Sequence, residues 1–143
     1  MTGGIWIGVD VGTVRVGVAR SDPAGILASP LVTLARDPAG DRDIAELAAL
    51  VTDAEAVGVV VGLPMTLRGA EGKSAEMARS YAERLAARIS PIPVRHLDER
   101  LTTVSAQRKL QNGVRGSRKV RAIIDQAAAV ELLQHWLDVM RER

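Results

Sequence analysis

The chain of 143 residues has the length of one domain, and residues 1–143 are read as a single unit. Hydrophobic residues make up 47% and aromatics only 2%, so the core must be built from Val, Ile, Leu and Ala. There is no cysteine, which excludes a disulfide scaffold and a cysteine-ligated zinc site. With only two histidines, His96 and His135, any bound metal would be held by oxygen, which favours Mg2+ or Mn2+.

The net charge of +2 says little about partners, and its distribution matters more. The first residues carry no basic start and no long apolar stretch, so no signal peptide is expected. No apolar run approaches the roughly 20 residues of a membrane span. A cytoplasmic protein without membrane contact is the expectation.

In chain order, Ile5 to Val9 is a continuous apolar run that closes on Asp10, as in a strand buried on both faces. Val11-Gly12-Thr13 reads as a turn. Val14 to Ala19 reads as a second strand, with Val14, Val16 and Val18 on one face. Ile26 to Leu34 reads as a third, and Pro30 within it argues for an edge or a bulge. Ile44, Leu47, Ala48, Leu50 and Val51 then recur at helical spacing, with Asp41 or Asp43 as cap.

Val57 to Val61 is a further strand, stopped by Gly62-Leu63-Pro64. Ser74 is a candidate N-cap for a helix marked by Met77, Tyr81, Leu85 and Ile89 and ended by Pro91. Pro93 to Leu97 is a fifth strand leading into Asp98-Glu99-Arg100. A short helix from Thr102 or Thr103 to Leu110, a basic loop over Gln111 to Lys119, and a long helix from Val120 to Met140 complete the chain. Three antiparallel strands followed by parallel crossovers predict an α/β fold with one mixed five-stranded sheet flanked by helices.

Three acids stand out against these patterns. Asp10 closes a fully apolar strand, and its bland role would be to cap the turn. Asp98 and Glu99 close another strand, and alternation points only one of them inward. In the last helix, steps of three and four from Asp125 reach Ala128, Ala129, Leu132, Leu133 and Trp136, so Asp125 heads the apolar stripe. An unpaired carboxylate there would cost several kcal/mol to bury. A metal would satisfy it, as would an arginine such as Arg121. A cluster of three acids repels itself unless a cation is present, and divalent metal would suit phosphodiester hydrolysis.

From Arg100 to Arg121 there is no acidic residue, while Arg100, Arg108, Lys109, Arg115, Arg118, Lys119 and Arg121 are basic. Such a stretch next to an acidic site suits a phosphate backbone. Arg100, Arg115, Arg118, Lys119, Arg121 and, across the chain, Arg15 are the candidate nucleic-acid contacts. The scarcity of aromatics argues against a base-stacking platform.

These residues fall into four motifs. Gly8-Val9-Asp10-Val11-Gly12, followed by Arg15 and Gly17, resembles the first motif of the YqgF/RuvX family. Val60-Val61-Gly62-Leu63-Pro64 resembles the second. Asp98-Glu99-Arg100-Leu101-Thr102-Thr103 resembles the third, and Asp125 with Ala127, Ala128 and Ala129 the last. They span nearly the whole chain in the family's order.

The resemblance implies a ribonuclease-H-like fold related to the Holliday-junction resolvase RuvC. It also implies a bacterial cytoplasmic nuclease that matures the 5′ end of precursor 16S ribosomal RNA. By carry-over, Asp10, Glu99 and Asp125 match the family's catalytic, metal-holding acids, which favours Glu99 over Asp98. RuvC-like enzymes carry four acids where three are placed here, so one metal or two stays open. The expected substrate is structured RNA. The alternatives are a resolvase of branched, four-way DNA, which a homodimer would favour, and a non-catalytic nucleic-acid-binding or ribosome-associated factor.

Overall fold

The computed structural model describes residues 3–65, 72–99 and 118–142. Five strands, β1 (Trp6–Val11), β2 (Arg15–Ser21), β3 (Ala28–Ala35), β4 (Gly58–Leu63) and β5 (Val94–Asp98), form one sheet in the order β3-β2-β1-β4-β5. The first three pair antiparallel, while β4 runs parallel to β1 and β5 parallel to β4. The helices are α1 (Arg42–Asp53), α2 (Lys73–Ile89) and α3 (Arg118–Arg141). The mixed sheet expected from the hydrophobic pattern is therefore present.

The continuous apolar runs conceal an alternation of size. Ile7, Val9 and Val11 of β1, Val16 and Val18 of β2, and Val59, Val61 and Leu63 of β4 share one core with α1 and α2. Ile44, Leu47 and Val51 of α1 and Tyr81, Leu85 and Ile89 of α2 cover them. The opposite face carries Gly8, Gly17, Ala19, Gly58, Val60 and Gly62, and it is covered by α3 through Ala128, Ala129, Leu132, Leu133 and Leu137. A Cβ at Gly8 would lie 2.7 Å from the Leu133 Cβ, so the missing side chain is what lets the helix lie against the strand. Each fully buried leucine of this seam contributes roughly 1.5–3 kcal/mol. At the far end of β1, Trp6 lies across Gly58 and packs on Trp136 with ring centroids 5.3 Å apart.

Pro30 sits on the edge strand, and the β2–β3 register shifts between Val18 and Ala19, where Ala19 faces Pro30, so it marks both an edge and an irregularity. Other expectations need correction. Val14 is exposed and precedes β2. Gly62 lies inside β4 and does not stop it. Gly72, not Ser74, is the N-cap of α2. Asp41 is the N-cap of α1, but its backbone is left-handed (φ 54°) and its carboxylate pairs with Arg84 instead of capping. Arg118 and Lys119 belong to α3, not to a loop. The helix expected to end at Leu110 and the loop from Gln111 to Ser117 lie outside the described residues.

Candidate active site

Strand alternation turns Asp10 toward the face covered by α3. Its antiparallel partner across the ladder is Gly17 of β2. On its other side Val9 pairs with Val61, so the next position along β4 is Gly62. Asp10 is thus flanked on both neighbouring strands by residues without side chains.

Each vacated space is taken by another acid. A Cβ on Gly17 would overlap the backbone carbonyl of Asp125 and lie 3.2 Å from the Asp125 Cβ, so α3 touches the sheet at Asp125. A Cβ on Gly62 would overlap Oε1 of Glu99. Gly62 pairs with Leu97, which faces the α3 side, and Glu99 follows two residues later on the same side. Asp98, paired with Leu63, points the other way. Asp125, Asp10 and Glu99 therefore lie in a row across β2, β1 and β4, on one face. All are buried, with exposures of 7%, 5% and 0%.

Buried carboxylates need compensation. Nε of Arg15 donates to Oδ2 of Asp125 at 2.6 Å. Arg15 precedes Gly17 by two residues on β2 and so shares its face. Among the described residues the arginine paired with Asp125 is Arg15, 110 positions away, and not Arg121. Among the described residues, no set of three acid or imidazole side chains is disposed to hold a single ion as they stand.

A second network, which the sequence did not single out, holds the turn between Asp10 and Arg15. Nη1 of Arg36 donates to the Gly12 carbonyl at 2.9 Å, and its backbone N–H donates to Val14 O at 2.8 Å. The Gly12 N–H closes the turn onto Arg15 O at 2.9 Å. Beneath, the Arg36 guanidinium faces Asp43 at 3.4 Å and lies 5.2 Å from the centre of the Tyr81 ring. Burial, with the charge of Asp43 next, pushes the Tyr81 phenol well above its ordinary range. Asp43 looks like a helix cap in the sequence, and nothing local to it announces a buried ion pair.

Of the candidate nucleic-acid contacts, Lys119 and Arg121 are exposed in the first turn of α3. Arg15 is turned to Asp125. Arg100, Arg115 and the side chain of Arg118 lie outside the described residues. Among the described residues no helix is long and apolar enough to cross a membrane.

This sheet order, with helices on both faces and acids along one of them, defines a ribonuclease-H-like α/β fold. The structure matches Thermus thermophilus RuvC in complex with Holliday junction substrate at a TM-score of 0.61, covering 96% of each chain at 15% identity. It matches a second RuvC structure from the same organism at a TM-score of 0.56 and 13% identity. At such identities the likeness is one of fold.

Residues 4–139 match the profile of the RuvX family, described as Holliday junction resolvase, and the chain belongs to that family. A Frankia casuarinae protein named as a candidate pre-16S rRNA nuclease is 57% identical over 136 residues, covering 94% of this chain and 67% of that protein. A Mycobacterium tuberculosis protein of the same name is 59% identical over 133 residues, covering 92% and 77%.

Proposed function

We propose that the chain is a metal-dependent nuclease that hydrolyses phosphodiester bonds in precursor 16S ribosomal RNA, with Asp10, Glu99 and Asp125 as the acids that hold Mg2+ or Mn2+. The observation that carries this reading is the row of three buried carboxylates on one sheet face, seated over Gly17 and Gly62. Helix packing alone explains Gly17, but it does not explain why β4 gives up a side chain at Gly62 to make room for the Glu99 carboxylate.

The residues fit a hard divalent cation. The donors are carboxylate oxygens, and Asp125 already accommodates a positive group in Arg15. Bound there, a divalent ion supplies charge that activates water and stabilises the leaving oxygen. Asp10 is fixed by β1 and Asp125 by the contact of α3 on Gly17. Glu99 hangs from the end of β5. Lys119 and Arg121, exposed where α3 begins, are the proposed contacts for substrate phosphates.

RNA ranks first as substrate because the relatives named for it are 57% and 59% identical to this chain over the aligned residues, whereas RuvC is 15% identical. The family description keeps four-way DNA as the second reading. Both are tested by incubating precursor RNA with an unprocessed 16S 5′ end, and separately a four-way DNA junction, with Mg2+ or Mn2+. The parent is expected to cut the RNA, and Asp10→Asn and Asp125→Asn are expected to be inactive. Variants that cut as well as the parent would overturn the acid assignment. Cleavage of the junction alone would move the reading to a resolvase.

A further inference from the structure

We infer that Arg36 is a positioning residue: its side chain holds the Gly12 carbonyl and so fixes the tip of the β1–β2 hairpin, on which the placement of Asp10 and Arg15 depends. The inference rests on the reading of Asp10 as a site acid and adds how the fold keeps that part of the site in place.

The residues that flank a two-residue hairpin turn ordinarily exchange two backbone hydrogen bonds. Among the described residues one of that pair is made here, from the Gly12 N–H to Arg15 O at 2.9 Å. The Gly12 carbonyl is held instead by Nη1 of Arg36, also at 2.9 Å. Arg36 follows Ala35, the ladder partner of Arg15, so its guanidinium reaches the tip from the end of β3. Its backbone N–H adds the bond to Val14 O. The tip sets the pairing register of β1 with β2. That register puts Asp10 opposite Gly17 and keeps Nε of Arg15 at 2.6 Å from Asp125.

Stability alone gives little reason for a charge at this place. The Arg36 side chain is 8% exposed, and that of Asp43, which faces it, is 1% exposed. Burying two charges costs desolvation that their attraction does not always offset, and uncharged replacements of similar volume are often as stable. The guanidinium divides its donors between two tasks. Nε faces Asp43, while Nη1 reaches the Gly12 carbonyl and, at 3.4 Å, Sδ of Met77. Asp43 supplies the charge that keeps the guanidinium beneath the tip, and Nη1 does the holding. A lysine ends one atom short of Nη1, so it can serve Asp43 and leave the Gly12 carbonyl unheld.

The test compares the parent with Arg36→Lys and with Arg36→Met/Asp43→Asn. The double variant removes both charges and keeps an acceptor for the Asp37 N–H. Both variants are expected to melt close to the parent. By NMR, the Gly12 N–H and the Arg15 Nε–H should exchange about tenfold faster than in the parent, while amides of the β1–β4 ladder keep their rates. On precursor RNA with an unprocessed 16S 5′ end, kcat is expected to fall roughly 10- to 100-fold, with KM within about twofold of the parent.

Parent-like exchange at Gly12 and Arg15 in both variants overturns the holding role, whatever happens to activity. Faster exchange with unchanged kcat overturns the link to the site. If both variants fail to stay folded, the Arg36–Asp43 pair belongs to stability and the inference falls. If the parent cuts neither RNA nor junction, or Asp10→Asn cuts as well as the parent, the acid reading itself has failed. A parent that needs Asp10 to cut, with both Arg36 variants matching its kcat, confines the failure to Arg36.

Discussion

The two glycines beneath the acids separate what the fold needs from what the site needs. At Gly17 a methyl group would meet the backbone of Asp125, which cannot yield without lifting α3. At Gly62 it would meet the end of the flexible Glu99 side chain. Gly17→Ala is expected to lose about 3 kcal/mol in denaturant unfolding. Gly62→Ala is expected to stay within about 1 kcal/mol of the parent yet lose most cleavage activity, because the Glu99 carboxylate is pushed from its place. Equal stability losses at both positions would show that Glu99 is wedged as firmly as the helix backbone. Asp10 and Asp125 were legible in the sequence because each breaks an apolar pattern. The choice of Glu99 over Asp98 needed the family resemblance; in the structure Glu99 faces α3 over Gly62 and Asp98 the other side of the sheet. The Arg15–Asp125 bond was not legible, because nothing local links residues 110 positions apart.

At the scale of elements, α1, α2 and the turn between β1 and β2 meet at Arg36, Asp43 and Tyr81. The folded protein holds the Tyr81 phenol neutral, since ionising it would place a second negative charge beside Asp43 in a dry setting. Its pKa is raised on folding, so the stability tied to the neutral phenol is complete below the unfolded value of about 10 and is lost as pH climbs above it. Tyr81 is the single tyrosine of the chain, so phenolate absorbance reports on it alone. That absorbance is expected to stay absent at pH 10–11 and to appear together with loss of helical circular dichroism. Tyr81→Phe is expected to flatten the alkaline fall in melting temperature. Phenolate forming in fully folded protein would contradict the burial of this hydroxyl. Element types and their order were readable from periodicity, whereas caps were not. Asp41 and Ser74 have the right chemistry for capping, but Asp41 is drawn off by Arg84, and α2 starts at Lys73, which leaves the cap position to Gly72 and puts Ser74 inside the first turn.

For the whole molecule, the proposed site sets acid repulsion against stability. In metal-free buffer Asp10→Asn is expected to melt at or above the parent temperature, because it removes one buried carboxylate from a sheet face that carries two more. With Mg2+ at about a hundredfold excess over its Kd the parent should gain about 2.7 kcal/mol and the variant much less. Thermal scans with and without metal check both halves. A marked loss in metal-free buffer would instead assign Asp10 a structural bond.

One consequence concerns the order in which the protein is made. The sheet that carries Asp10 and leads into Glu99 is translated first, while Asp125 arrives on α3, the last described helix, which also seals the second core. Domains assemble from the N-terminal side as they leave the ribosome. A half-synthesised chain therefore lacks its third acid and leaves the glycine-lined sheet surface bare. If Asp125 acts as proposed, competence to cut would arise only after α3 has docked, which would tie hydrolysis to completed folding and spare nearby RNA during translation.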